Sequence, residues 1–176
     1  PHDVQNGLAA AAMCLESGFG TRTGVIQTLQ EFEPSHHRIE LIASKNGVRW
    51  FDDSKATSPH AARTALRAFP RVVLIAGGRN KGLNLSDLAL EHEHVKAVVC
   101  IGESAQEIAA AFAGICPTAI ATSMQEAIEI AGSQVSANEV VLLSPACTSF
   151  DWYKNYEERG CDFATRVRVY VGDDLT

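Results

Sequence analysis

Residues 52–57, Asp-Asp-Ser-Lys-Ala-Thr, gather carboxylates, an ammonium and hydroxyls within one short segment, and Ser58 adds a further hydroxyl. Such a set suits a substrate bearing phosphate or carboxylate groups, because cations pair with oxyanions and hydroxyls complete their hydrogen bonds. Capping of a following helix by Ser54, Thr57 or Ser58 accounts for one hydroxyl but not for the cluster. A second segment, Gly77-Gly78-Arg79-Asn80-Lys81-Gly82, sets a cation among glycines, where backbone and ammonium can both meet an anion. It matches neither G-x-G-x-x-G nor G-x-x-x-x-G-K-[ST], and a tight strand-to-helix turn with two solvated cations explains it equally well. The third segment is Ser144-Pro145-Ala146-Cys147-Thr148-Ser149-Phe150-Asp151. Ser149 or Asp151 there can cap the last helix or hold a ligand. No motif sets a histidine beside Cys147, which reads as a small buried residue rather than a nucleophile. His36 and His37 are adjacent imidazoles without a third ligand at suitable spacing, a weak metal signal. Arg38 suits an anion or nucleotide contact.

The elements that must carry these segments follow from period and punctuation. Residues 3–17 form an alanine-rich helix stopped by Gly18, residues 23–31 a second helix, and residues 32–37, with Pro34, an extended linker. Lys45-Asn46-Gly47 between apolar runs at 38–44 and 48–52 signals a hairpin. Helix and strand then alternate: helix 59–69, strand 72–76, helix 86–92, strand 97–101, helix 104–113, strand 119–121, helix 124–135, strand 140–143 and helix 152–170. Short apolar strands separated by helices make βαβ units and a buried parallel sheet. The fold class is α/β: a Rossmann-like, mostly parallel sheet with an antiparallel edge hairpin and helices on both faces. The three chemical segments lie at carboxyl ends of strands, where such sheets bind ligands.

The bulk numbers bound the rest. The chain of 176 residues is 46% hydrophobic and 20% charged, with a net charge of -6, which argues against a basic nucleic-acid-binding face. Five scattered cysteines without a C-x-x-C pair read as reduced thiols. No apolar run is long enough to span a membrane. Pro1-His2-Asp3 leads straight into a helix, as in a chain cut from something longer, so residues 1–34 read as helices of an upstream domain plus a linker and residues 35–176 as the main domain.

Taken together, Asp53-Ser54-Lys55-Ala56-Thr57, Gly77-Gly78-x-x-Lys81-Gly82 and Leu143-Ser144-Pro145-Ala146-Cys147-x-Ser149-x-Asp151, continuing into Lys154-Asn155-Tyr156-Glu157-x-Arg159-Gly160-x-x-Phe163, resemble the Mur ligases. The likeness is to their D-glutamate-adding members. The Asp-Asn-Pro-Arg motif of the diaminopimelate- or lysine-adding members is absent. The resemblance implies the C-terminal, amino-acid-binding domain of a cytoplasmic, monomeric, ADP-forming amide ligase of peptidoglycan synthesis. Its substrates would be ATP, D-glutamate and UDP-N-acetylmuramoyl-L-alanine, with Mg2+ bound mainly by the central domain, and no nucleic acid or membrane as partner. Activation of a carboxyl group as an acyl phosphate would precede attack by the D-glutamate amine. By position, Lys55 is the implied catalytic residue. Thr57, Lys81, Ser149, Phe150 and Tyr156 are the implied D-glutamate contacts, and Asp3, Asn6, His37, Arg38 and Asp53 the implied nucleotide contacts. Without a P-loop in this stretch the segment is expected to be inactive alone. Another Mur ligase or a folylpolyglutamate synthetase is the near alternative. A dinucleotide-binding Rossmann domain or a non-catalytic binding module is more distant, since no glycine-rich fingerprint follows the first strand.

Overall fold

The computed structural model describes residues 2–32 and 35–172, with side chains from residue 7 onward. It divides into two compact units, Pro1–Ser35 and His36–Thr176. In the first, α1 (His2–Glu16) and α2 (Arg22–Gln30) are joined by a turn in which Gly18 takes a left-handed φ of 73°. The Thr21 hydroxyl caps α2 by accepting the Gly24 N–H, and α2 buries none of its residues. Part of the expected linker, residues 33–34, lies outside the described residues. Residues 36–39 form a turn rather than an extended strip, with left-handed His37 (φ 61°) and Ile39 (φ 48°). Two hydrogen bonds impose that turn: the Glu40 carboxylate accepts the His37 N–H at 2.8 Å, and the His37 carbonyl accepts the Lys55 N–H at 3.1 Å.

The second unit opens with the hairpin β1 (Glu40–Lys45) and β2 (Val48–Asp52), turned by Asn46 and Gly47, both at positive φ. There follow α3 (Pro59–Leu66), β3 (Val72–Gly77), a 3-10 helix (Leu85–His94), β4 (Val95–Ile101) and α4 (Ala105–Ala111). The chain ends with β5 (Thr118–Ala121), α5 (Met124–Gln134), β6 (Val140–Ala146) and α6 (Tyr156–Val171). The strands lie in the order β1-β2-β6-β3-β4-β5, all neighbours parallel except the β1–β2 pair. Because successive strand residues face opposite sides, β3 sends Leu74 into one core and Val73 and Ile75 into the other. The first core packs Leu66 of α3, Leu85 of the 3-10 helix and Ile108 of α4; the second packs Ile128 of α5 and Phe163 and Val167 of α6. No helix among the described residues is long and apolar enough to cross a membrane.

Several element boundaries differ from the sequence expectation, three of them for a reason visible in the structure. Residues 85–94 are a 3-10 helix with a kink at Glu91, where the carboxylate receives hydrogen bonds from Arg63 and Arg67 of α3. Strand β6 runs three residues further than its apolar run, since Ala146 still pairs with Gly77. The last helix starts at Tyr156, because Asn155 caps it by accepting the Glu158 N–H at 2.7 Å. Gly77, at the end of β3, has φ 137°, and a Cβ there would fall 1.9 Å from the Ile101 carbonyl oxygen of β4. Gly77→Ala is therefore expected to lower stability by about 3 kcal/mol or more, combining backbone strain with a collision. Urea unfolding checks this, and a loss under about 1 kcal/mol would mean that β4 moves aside freely.

Candidate functional site

Insertion of β6 between β2 and β3 makes the carboxyl ends of these strands neighbours, so the loops at 52–57, 77–82 and 144–151 share one edge. Because β1 runs antiparallel, the turn at 36–39 arrives at the same edge. Backbone bonds tie the loops together. Asp53 N–H donates to the Leu143 carbonyl at 2.8 Å, and Ala146 N–H to the Ala56 carbonyl at 2.9 Å. Arg79 and Thr148 exchange both backbone hydrogen bonds at 3.0 Å. A Cβ at Gly78 would fall 2.1 Å from the Thr148 oxygen, so Gly77 and Gly78 are glycines because strands and loops cross them closely. At both positions the missing Cβ makes room for neighbouring backbone.

The implied site residues divide by exposure. Lys55 is half-buried, its ammonium 5.9 Å from the centroid of the Tyr156 ring, and His37 meets the same ring edge-on at 6.2 Å. Thr57 is half-buried just ahead of α3, which Ser58 caps. Arg38, Lys81 and Phe150 are exposed. Ser149 is buried, and its Oγ is without a hydrogen-bond partner among the described residues. A buried hydroxyl left unpaired costs on the order of 1–3 kcal/mol, which a ligand oxygen or N–H would recover. The side chains of Asp3 and Asn6 lie outside the described residues.

Beneath the 52–57 loop lies a set of groups already engaged with one another. The His37 Nδ1–H donates to Asp52 Oδ2 at 2.6 Å, Asp52 Oδ1 accepts the Ser54 N–H at 2.8 Å, and Glu40 spans His36 and His37. The donor atoms of His37, Glu40 and Asp52 lie within 4.8 Å of one another, a spacing a cation could use. Each is held in a hydrogen bond instead, and the arrangement is a carboxylate orienting an imidazole. A Cβ on Gly160 would fall 2.2 Å from His37 Nδ1, so α6 admits only glycine there. Burial raises the Asp52 carboxyl above its ordinary value, against the pull of its bonds from His37 and Ser54. Asp53 is pushed up to about 7, chiefly by burial and despite the Ser144 hydroxyl donating to it at 2.7 Å.

Comparison with known proteins bears directly on this edge. Residues 37–147 match the family model described as Mur ligase, glutamate ligase domain. The chain belongs to that family. It is 43% identical over 176 residues to the UDP-N-acetylmuramoylalanine–D-glutamate ligase of Frankia casuarinae, covering 98% of this chain and 37% of that protein. It is 43% identical over 169 residues to the ligase of the same name from Chlorobaculum tepidum, covering 95% of this chain and 36% of the relative. The chain thus spans little more than a third of the curated relatives it matches. Among solved structures, the UDP-N-acetylmuramate-alanine ligase of Thermotoga maritima overlays with a TM-score of 0.69 at 19% identity, over 96% of this chain and 38% of that one. A MurF ligase from Thermotoga maritima, in complex with ADP, gives 0.63 at 16% identity over 93% of this chain and 38% of that chain. At such identities these two show the fold.

Within this glutamate ligase domain, several assignments change. Neither Ser149 nor Asp151 caps α6: the Ser149 carbonyl takes the N–H groups of Trp152 and Tyr153, and Asp151 takes the Glu103 N–H at 3.0 Å. Cys147 is buried and burial raises its thiol pKa, so it stays protonated, as a packing residue does. Asp52, Ser144 and Arg159 stand in the strings quoted from the sequence but carry no role there; the structure gives them one, since Asp52 holds His37, Ser144 donates to Asp53 and Arg159 binds Ser54. Because folding raises the Asp53 pKa from 3.8 to about 7, the folded chain holds a proton there that the unfolded chain loses near pH 4. Its contribution to stability is therefore full below about pH 4, declines as pH rises and is gone above about pH 7. Asp53→Asn, which cannot titrate, should flatten that part of the stability–pH curve, as read by urea midpoints from pH 4 to 8. An unchanged slope would place the buried proton elsewhere.

Proposed function

We propose that, in the whole protein, this chain is the C-terminal amino-acid-binding part of an ATP-dependent, ADP-forming ligase that joins D-glutamate to UDP-N-acetylmuramoyl-L-alanine. On this reading residues 1–34 close the central ATP-binding domain and residues 35–176 form the C-terminal domain. The observation that carries the proposal is the 43% identity, across 98% of the chain, to a ligase named for that reaction. The unpaired, buried Ser149 hydroxyl supports it, because it marks a hydrogen bond that a bound ligand can complete. That α2 buries none of its own residues supports its assignment to a larger upstream core.

The chain's own groups divide the work. Exposed Lys81 pairs with the side-chain carboxylate of D-glutamate, and the Ser149 and Thr57 hydroxyls complete its hydrogen bonds. Phe150 and Tyr156 bound the amino-acid pocket with aromatic surface. The Lys55 ammonium, held over the Tyr156 ring, offsets the negative charge that develops as phosphate departs. On the nucleotide side, Arg38 and the Asp52-anchored His37 are the groups suited to the phosphates, and Asp53 is suited to a ribose hydroxyl. ATP, when bound, supplies the phosphoryl group that activates the acceptor carboxylate. The D-glutamate amine then forms the C–N bond, loses its proton and displaces phosphate. Mg2+ would be bound mainly by the central domain. The enzyme acts as a cytoplasmic monomer on small molecules, without nucleic acid or membrane.

Phosphate release from the full-length protein with ATP, UDP-N-acetylmuramoyl-L-alanine and D-glutamate, L-glutamate, L-alanine or diaminopimelate tests this reading. D-glutamate should be the accepted amine, and preference for any other would overturn it. Lys81→Ala and Ser149→Ala should each raise the KM for D-glutamate about tenfold to a hundredfold, the worth of one charge-assisted or buried hydrogen bond, with smaller loss of kcat. Lys55→Ala should instead lower kcat by about a hundredfold with KM little changed.

A further inference from the structure

Arg159, in the second turn of α6, is 1% exposed, yet it forms no ion pair among the described residues. Its partners are oxygens of three separate loops. Nε donates to the Ser54 hydroxyl at 2.9 Å and Nη2 to the Ser54 carbonyl at 2.9 Å. Nη1 and Nη2 both reach the Cys147 carbonyl at 3.2 Å, and Nη1 reaches the Gly77 carbonyl at 3.5 Å. A buried cation bonded only to neutral oxygens is costly, and one neutral donor would suffice to tie two loops. The planar fork does something a neutral donor or an ammonium cannot: it bonds in several fixed directions at once, to the ends of β2, β3 and β6 together. Although burial lowers its pKa to about 10, the group stays charged at neutral pH.

We propose that Arg159 is a positioning residue that locks the loops at 52–57, 77–82 and 144–151 into one rigid unit, and so sets the spacing of Lys55, Lys81 and Ser149 without touching ligand itself. The loops' role as an amino-acid site rests on the ligase reading above; the locking does not. Ser149 lies two residues beyond Cys147, and Lys81 lies three beyond Gly78, whose missing Cβ would come within 3.2 Å of Arg159 Nη1. Ser54 is next to Lys55, and its hydroxyl also donates to the Tyr156 carbonyl at 2.8 Å, joining the fork to the start of α6.

The test has two arms. In the first, amide hydrogen exchange is compared in this chain for the natural sequence, Arg159→Lys, Arg159→Ala and the milder Ser54→Ala. Arg159→Lys should raise exchange about tenfold or more in all three loops while the centres of β3 and β4 stay protected, the loss expected when charge-assisted bonds disappear. Change confined to α6, or spread evenly over the whole chain, would overturn the proposal. Should Arg159→Ala fail to fold, Arg159→Lys and Ser54→Ala carry the comparison. In the second arm, on the full-length protein, Arg159→Lys should raise the KM for the accepted amine about tenfold with a smaller change in kcat. Methylguanidinium, well below denaturing concentration, should restore much of the loss in Arg159→Ala. A fall in kcat alone, or no rescue, would reduce Arg159 to a general stabiliser. If the natural sequence ligates no amine at all, the ligase reading fails and the exchange arm alone decides the lock.

Discussion

The placement of β6 between β2 and β3 is the constraint on which the rest of this domain depends. The chain builds β3, β4 and β5 outward in one direction and then returns to fill the gap beside β2. A ligand edge needs polar loops side by side, and a parallel sheet supplies them only where adjacent strands end together. Three strands distant in sequence meet that condition here. The antiparallel hairpin adds a fourth segment, since reversing β1 brings the turn at 36–39 to the same edge.

Bringing polar loops together over a buried sheet creates a problem of satisfaction. Their backbone groups, carboxylates and hydroxyls lose water and must find partners. Most find them inside the protein: Asp52 with His37 and Ser54, Asp53 with Ser144, Thr148 with Arg79, and Asp151 with the Glu103 N–H. What is left over lies on the open side of the edge. Lys81 and Arg38 keep exposed charges, Lys55 leans on an aromatic ring, and the Ser149 hydroxyl is unmatched. A polar cluster that was wholly self-satisfied would be a structural knot; this one is self-satisfied beneath and open above.

Much of the architecture was legible in the residues because the local signals agree with the tertiary ones. The Asn46-Gly47 turn, the buried runs of β3 and β4 and the Ser58-Pro59 helix start all hold in the structure. Two of the shifted boundaries share a cause. The kink at Glu91 answers arginines on another helix, and the length of β6 answers pairing with Gly77. Partners that far along the chain leave no mark in the local sequence.

The site divides in the same way. Sequence by itself determined which residue types stand in the three loops: a lysine between hydroxyls at 52–57, a cation after paired glycines at 77–82, and serines around a small thiol at 144–151. It also determined the family, since the first and third of those strings are specific. Only the tertiary structure decided which of these groups are spent on the protein and which are left without a partner in it. Gly77 and Gly78 serve crossing backbones, Asp151 pins a neighbouring turn, and Asp52 orients His37. Arg159, in a helix about a hundred residues along the chain from the loop at 52–57, bonds that loop through Ser54. The reason is physical: burial and hydrogen-bond partnership are properties of neighbours in space, and Ser54 and Arg159 become neighbours only when the chain has folded.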